Sequence, residues 1–272
     1  MMLHPPIFSL ALLSLPLLAC KAPVDTVVPS YAPPGEVADP GAPFDIEGRF
    51  AVRNIISNWV QSSTGGDDVL QSKIVLHNGE WTQLPGGELV MLTSPCLSRV
   101  TSDNGYAAFL NPAFYKNTFY ERRITLSAEE VGAQVVLERF VQLFGVTLDD
   151  PMDPLPTDPD DPRVWDLDED GNAGYTISID AFTLVDDPHY HAVSRSDTSM
   201  EGIIYSNDRI TGTLFGHTEE SYLFSSNPAI LPTQVLSYPD DDPNRNFFDL
   251  VRVDADTTCD DIIANEASLF DF

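Results

Sequence analysis

The sequence predicts an all-β protein, and three observations support this. From residue 44 onward, runs rich in β-branched and aromatic residues alternate with Gly, Pro, Asn and Asp, which is typical of short strands joined by turns. Residues 175–181 alternate apolar and polar side chains, the period of a half-buried strand. No segment repeats at a fixed period, which argues against a repeat architecture. About ten such strands favour a single antiparallel β-barrel over a β-sandwich.

The N-terminus predicts export. An uncharged apolar run, residues 7–18, is too short to span a bilayer but has the length of a signal-peptide core. Its ending, Leu17-Leu18-Ala19-Cys20, resembles the lipobox of bacterial lipoproteins. The resemblance implies that residues 1–19 are a signal peptide, that Cys20 is lipidated, and that the mature protein is anchored in the cell envelope. Lys21 favours the outer membrane, because Asp at that position favours inner-membrane retention in the family.

The next segment, residues 20–43, is predicted to be a lipidated, proline-rich linker. Its six prolines interrupt any regular periodicity and favour an extended chain. Residues 44–272 then form the predicted β domain, with an acidic loop at 149–174. If its antiparallel strands close into a barrel, this domain would be similar to a lipocalin.

Within the β domain, turn signals separate the strands. Asn78-Gly79 predicts a hairpin because both residues accept positive φ, and Pro-Gly-Gly at 85–87 predicts another turn. Residues 128–144 combine apolar residues at helical spacing with many valines, which favour strands. Helix and strand are therefore both alternatives for this segment, and a strand is favoured. A short helix is expected at 260–265. The other strands are expected at residues 49–61, 69–77, 88–93, 106–110, 114–126, 175–181, 189–194, 200–205, 210–215, 221–225, 234–237 and 247–253.

Two cysteines remain once Cys20 is modified. Cys96 and Cys259 would lie in an oxidising compartment after export, so a disulfide between them is favoured over two separate thiols. Such a bridge spans the acidic loop, which favours one domain over two.

The charge of the chain limits its partners. Fourteen basic against 42 acidic residues give a net charge of −28, which disfavours nucleic acid because phosphate binding needs a cationic surface. Anionic lipid is repelled as well, so membrane contact is expected through the lipid anchor alone. An acidic surface suits a cation or a cationic protein partner. We expect a monomer.

The end of the acidic loop carries three aspartates at alternate positions before a glycine. This spacing resembles the calcium loop of EF-hands and dockerins, and calcium prefers six to eight oxygen ligands. The twelfth loop position is Ile177, where an EF-hand has Glu, and a strand follows instead of a helix. The motif therefore predicts at most a calcium-binding turn, the alternative being an acidic turn without an ion. The predicted ligands are Asp166, Asp168, Asp170 and Asn172.

The wider acidic segment, with the residues LPTD at 155–158 and PRV at 162–164, is similar to a loose group of exported bacterial proteins. Many of these also carry a late Arg-Val…Cys segment, here Arg252-Val253 and Cys259. The resemblance implies a β-rich exported domain and supplies no catalytic residue.

Motifs of common enzyme classes are missing from the sequence: it has no Gly-x-Ser-x-Gly elbow, His-Glu-x-x-His helix or phosphate-binding glycine loop. His189 and His191 share one face of a predicted strand, a pattern that can begin a metal site but is more often found without one. The expected function is a non-enzymatic binding or envelope module, which would bind either a small apolar ligand in the mouth of the barrel or a cationic partner protein. The alternative is a secreted carboxylate-dependent hydrolase.

Overall fold

The computed structural model describes residues 35–61, 67–105, 107–180, 188–226 and 237–270. Strands dominate these residues, and the α-helices among them have six residues or fewer. The helices are α1 (Pro112–Lys116), α2 (Cys259–Ala264) and α3 (Glu266–Phe270). The strands are β1 (Gly48–Val60), β2 (Val69–Gln83), β3 (Leu89–Ser102), β4 (Ala107–Leu110), β5 (Tyr120–Leu126), β6 (Gln134–Phe144), β7 (Tyr175–Asp180), β8 (His189–Ser206), β9 (Arg209–Ser225), β10 (Ser237–Pro239) and β11 (Phe247–Val253).

Eight of these strands form a closed ring of hydrogen-bonded pairs. The order is β1, β2, β3, β5, β6, β8, β9 and β11, and β11 pairs back with β1. Every pair in the ring is antiparallel. Closure removes the free edges that an open sheet would expose. The predicted all-β class and antiparallel pairing are confirmed, and the described strands belong to a single sheet.

Strands β3 and β8 change neighbours along their lengths. The first part of β3 pairs with β5, and its last part pairs with β4. In the same way, β8 pairs with β7 near its start and with β6 further on. Because β4 also pairs with β7, these two short strands extend the wall beyond the point where β5 and β6 end.

Helix α1 lies next to this extension. The helix contacts the strands through aromatic side chains: the ring centroid of Phe114 is 5.2 Å from that of Tyr175 and 5.3 Å from that of Phe144. The prediction of one strand over residues 114–126 is therefore wrong in its first part. The helix begins where the side chain of Asn111 accepts a hydrogen bond from the backbone N–H of Ala113, at 3.0 Å, and Pro112 occupies its first turn.

One end of the ring interior is filled by a hydrophobic core. Trp81, which is 1% exposed, packs beside Phe50 with ring centroids 5.4 Å apart. Burial of a large apolar side chain contributes roughly 1.5–3 kcal/mol, so this end supplies a large part of the hydrophobic stabilisation. Other buried members of the core are Val52, Met91, Ile124, Leu137, Met200, Ile204, Leu214, Phe248 and Leu250.

The C-terminal helices pack on the outer face of the ring. Ile262 of α2 and Phe270 of α3 are buried with Leu76 of β2. A disulfide joins Cys96 and Cys259, which are separated by 163 residues, so the predicted bridge is confirmed. The helix predicted at residues 260–265 is confirmed as α2.

The hairpin predicted at Asn78-Gly79 is wrong. Both residues lie within β2 and pair with β1 on one side and β3 on the other. A Cβ added to Gly79 would lie 3.1 Å from Cγ2 of Val52, so this glycine permits close packing inside the ring. The turn into β3 is at residues 85–87 as predicted, where Gly86 and Gly87 both have positive φ.

The ambiguous segment at 128–144 contains a strand, β6, over its second part, which confirms the favoured interpretation. Its neighbours β5 and β8 satisfy its backbone on both sides.

The last part of the predicted linker lies against the domain. Val37 and Ala42 pack on the hydrophobic core, and the backbone N–H of Ala38 donates to the carbonyl of Tyr205 at 2.9 Å. The predicted signal peptide, Cys20 and residues 21–34 lie outside the described residues. Among the described residues, none of the helices has the length and apolarity needed to cross a bilayer.

Candidate functional site

The acidic turn, residues 165–176, forms a compact loop before β7. Its two ends are joined by hydrogen bonds from Leu167 N–H to the carbonyl of Gly174 (2.8 Å) and from Gly174 N–H to the carbonyl of Trp165 (3.1 Å). Gly174 has φ +87°, and a Cβ there would lie 2.4 Å from the carbonyl oxygen of Ala192. The loop therefore requires glycine at this position.

The three predicted aspartates converge inside this turn. One carboxylate oxygen from each of Asp166, Asp168 and Asp170 lies within 4.8 Å of the others. Asp166 accepts hydrogen bonds from the backbone N–H groups of Asp170 (3.2 Å) and Gly171 (2.8 Å). Asn172, the fourth predicted ligand, is exposed and donates its backbone N–H to Asp170 at 2.8 Å.

Asp168 is the buried member of the group. This residue is only 2% exposed. Its Oδ2 accepts a hydrogen bond from the backbone N–H of Thr176 at 2.9 Å. The other oxygen, Oδ1, is buried and has no hydrogen-bond partner in the part of the chain that the structure describes. Burial, with the charges of Asp170 and Asp166 adding to it, raises the pKa of Asp168. A buried carboxylate oxygen without a donor is costly, and a cation at this point would satisfy it.

His191 lies next to the turn, which the sequence did not indicate. Its ring stacks on Phe224 with centroids 4.1 Å apart, and Nδ1 is 4.0 Å from a carboxylate oxygen of Asp170. The Thr176 hydroxyl is closer to that oxygen, at 2.6 Å, and links the two groups. His191 therefore contacts the outer side of the acidic group through Thr176.

The second site is a cavity inside the ring, on the side away from the packed core. It has a volume of about 90 Å³. Eight strands and α1 supply its wall, which is mostly aromatic and aliphatic with a few polar groups. The lining residues are Asn54, Ile56, Lys73, Val75, His77, Pro95, Ser98, Leu110, Phe114, Tyr115, Thr118, Tyr120, Arg122, Phe140, Gln142, Phe144, Ser196, Thr198, Met200, Leu214 and Thr218.

The polar groups of the cavity form a chain centred on His77. Nε2 of His77 lies 3.1 Å from Nδ2 of Asn54, and Nδ1 lies 2.7 Å from the hydroxyl of Tyr120. Burial, assisted by the charge of Arg122, lowers the pKa of His77 to about 3. The imidazole is therefore neutral at pH 7. With Asn54 donating to Nε2, the ring proton is on Nδ1 and is donated to Tyr120.

Arg122 is the charged group of this cavity. It is 5% exposed and donates from Nη2 to the hydroxyl of Thr198 at 2.7 Å. The guanidinium carbon is 5.6 Å from the ring centroid of Phe140. Its Nε and Nη1 are buried and have no hydrogen-bond partner among the described residues. Burial lowers the pKa of Arg122.

The residues that line this cavity were not predicted from the sequence, although β5 carries a signal for them. Tyr120, Arg122 and Ile124 occupy alternate positions in β5, so they share one face of the strand. An arginine on the same face as a core isoleucine marks a buried charge. The pattern alone could not show that the cavity lies beside it.

No family model, curated protein or solved structure matches this chain.

Proposed function

We propose that this chain is an exported lipoprotein, anchored through Cys20, whose β domain binds small apolar molecules inside the strand ring. The observation that carries the proposal is the contrast between the two ends of that ring. One end is filled by a hydrophobic core, whereas the other encloses the cavity lined by Phe114, Phe140 and Phe144. Apolar, concave sites with a few convergent polar groups are the usual form of small-molecule sites.

The disulfide supports the export part of the proposal. Cys96 and Cys259 are paired, and structural disulfides persist mainly in oxidising compartments such as the periplasm or the cell surface. The lipobox residues supply the anchor. Incorporation of labelled palmitate into the expressed protein tests the lipid anchor. We expect incorporation into the wild type and not into Cys20→Ala. An unlabelled wild type that retains residues 1–19 would contradict the anchor.

Binding is favoured over hydrolysis at this cavity by the residues that line it. A carboxylate-dependent hydrolase needs two carboxylates across a cleft. Among the described residues, no Asp or Glu lines the cavity. In the acidic turn, one oxygen from each of the three carboxylates lies within 4.8 Å of the others, a spacing that suits a cation better than a substrate.

Calcium binding at the acidic turn is the second part of the proposal. Three carboxylates and the unpartnered Oδ1 of Asp168 offer several of the six to eight hard oxygens that calcium prefers. Calcium also counters the repulsion among these carboxylates in a chain of net charge −28. Bound to the folded form alone, it would stabilise the domain by mass action.

Thermal unfolding with and without calcium tests this part. At calcium concentrations about 100 times the dissociation constant, stabilisation reaches about 2.7 kcal/mol, which for a domain of this size is a rise of about 5–10 °C in Tm. We expect the rise in the wild type and in the control Asp160→Asn, whose side chain is outside the group, and its loss in Asp168→Asn. No rise in the wild type, or an equal rise in Asp168→Asn, would remove calcium from the account.

Ligand-observed NMR with indole as an uncharged probe tests the cavity. Ser196, a half-buried residue of the lining, is changed to tryptophan to fill the space. We expect indole to bind the wild type and the control Thr125→Trp, which places the same side chain at an exposed position of β5, and not to bind Ser196→Trp. Indole binding that survives Ser196→Trp, or no binding at all, would contradict a ligand cavity inside the ring.

A further inference from the structure

We infer that the cavity takes a small monocarboxylate, with its carboxylate bound by Arg122 and its apolar body between the aromatic side chains. This inference rests on the proposed binding function and specifies the chemical class of the ligand. It is drawn from the state of one guanidinium group, from the size of the cavity and from the groups that face it.

The guanidinium of Arg122 retains donors for a ligand. Of its three nitrogens, Nη2 donates to the hydroxyl of Thr198, and this is the one hydrogen-bond partner that the guanidinium has among the described residues. Nε and Nη1 are both buried without one. Guanidinium and carboxylate groups match as planar forks joined by two parallel hydrogen bonds. Because Nη2 carries two N–H groups, a carboxylate can pair with Nη2 together with either neighbouring nitrogen and leave the bond to Thr198 intact.

The charge of Arg122 is also uncompensated. Arg195, the other arginine among the buried polar residues, is paired with Glu219 and donates to two backbone carbonyls. Arg53 and Arg209 share the buried Asp249. Arg122 has no carboxylate partner in the part of the chain that the structure describes, although acidic residues outnumber basic ones 42 to 14. A buried cation without a counter-charge is strongly unfavourable, and an anionic ligand would remove that penalty.

The charged and titratable groups around the cavity favour one negative charge. Lys73 also lines it, but its Nζ is 4.0 Å from a carboxylate oxygen of Glu220. His77 is neutral, and Tyr115 donates its hydroxyl to the carbonyl of Ser98 at 3.3 Å. One free cation is therefore present among the described lining residues, which suits a monoanion better than a phosphate dianion.

Tyr120 can supply a further contact to the carboxylate. Its oxygen accepts the Nδ1 proton of His77 in the arrangement described above, so its own proton is free to be donated. Tyr120 and Arg122 are two residues apart in β5 and both line the cavity. The hydroxyl is held in place by His77 and by stacking on Phe140, with centroids 5.8 Å apart.

The size of the cavity limits the apolar body. Its volume of about 90 Å³ is well below the ~300–1,000 Å³ of sites for drug-sized ligands. A long-chain fatty acid would not fit inside, whereas one aromatic ring or a short branched chain would. Phe114, Phe140 and Phe144 offer ring faces and edges to such a group.

The test compares benzoate with benzamide, which has nearly the same shape and no charge. Isothermal titration of the full-length protein is expected to show at least about tenfold tighter binding of benzoate, equivalent to about 1.4 kcal/mol. Arg122→Met, which keeps an unbranched apolar stem and removes the guanidinium group with its charge, is expected to abolish this preference, so that benzoate binds no more tightly than benzamide. Lys73→Met is the matched control and is expected to keep the preference. Ser196→Trp is expected to block both probes.

The possible results separate the two proposals. If benzamide binds and is blocked by Ser196→Trp, but benzoate binds no more tightly or its preference survives Arg122→Met, the inference about the carboxylate is overturned and the binding function stands. If neither probe binds the wild type, or Ser196→Trp blocks neither, the binding function itself is overturned. Thermal unfolding gives an independent readout of folding: benzoate is expected to raise the Tm of the wild type and not that of Arg122→Met, which is itself expected to be at least as stable as the wild type.

Discussion

Removal of the disulfide is expected to cost the domain several kcal/mol. Cys96 and Cys259 are separated by 163 residues, so their bond restricts most of the unfolded β domain. In the chain-entropy model, closure of a loop of that length lowers the entropy of the unfolded chain enough to contribute about 5 kcal/mol at 25 °C. Native-like compaction of the unfolded chain reduces this value, so we expect a loss of about 3–5 kcal/mol.

The double variant Cys96→Ala/Cys259→Ala makes the perturbation, and urea unfolding followed by tryptophan fluorescence measures it. Trp81 is 1% exposed, so its emission reports the packed end of the ring. Besides the lower free energy of unfolding, the slope with urea is expected to rise, because an unfolded chain without the cross-link exposes more surface. Addition of reductant to the double variant is the control and should change nothing.

A purely local role for the bond would give a different result. The helices α2 and α3 pack on the outer face of the ring through Ile262 and Phe270, so loss of the bond could release only this segment. In that case the free energy of global unfolding would change by less than about 0.5 kcal/mol, within error, while amides of residues 259–270 exchanged faster. That outcome would refute the chain-entropy reasoning.

Three further predictions concern single residues. Because the pKa of His77 is about 3 in the fold and about 6.5 when unfolded, its contribution to stability is complete above pH 6.5 and is lost as pH falls. Urea unfolding should show that His77→Gln loses about 2 kcal/mol less than the wild type between pH 7 and pH 5; an equal loss would contradict a neutral buried imidazole. Asp249→Asn removes the buried carboxylate that lies 2.6 Å from Nη2 of Arg209 and should cost about 3–5 kcal/mol; a cost below about 1 kcal/mol would show that the pair contributes little. Gly174→Ala places a Cβ 2.4 Å from the carbonyl oxygen of Ala192 at a φ of +87° and should cost about 1–3 kcal/mol and abolish the calcium-dependent rise in Tm; unchanged unfolding and calcium response would contradict the required geometry of the turn.

Features that depend on local sequence were predicted well. The strand class follows from β-branched alternation and the turn at residues 85–87 from its glycines, and helix α2 lies where a short helix was expected, near residues 260–265. The bond between Cys96 and Cys259 was predictable because only two cysteines remained after the lipobox. The convergence of the three aspartates was also predictable, since alternate positions followed by glycine bring such side chains together.

Features that depend on tertiary packing were not predicted. Asn78-Gly79 has the composition of a hairpin, but its backbone groups are satisfied by β1 and β3, and Gly79 serves close packing with Val52. Arg122 lies within an ordinary strand in the sequence, and its role depends on a cavity that also includes distant residues such as Thr198, 76 positions further along the chain. No local pattern encodes such a combination.

The central claim is that the ring holds a small carboxylate against Arg122. A crystal structure with 4-bromobenzoate tests it most directly, because the anomalous signal of bromine locates the ligand. We expect bromine inside the ring, close to Phe114 and Phe144, and the carboxylate within hydrogen-bond distance of Arg122. Bromine found only on the outer surface, or a carboxylate in the cavity pointing away from Arg122, would contradict the account.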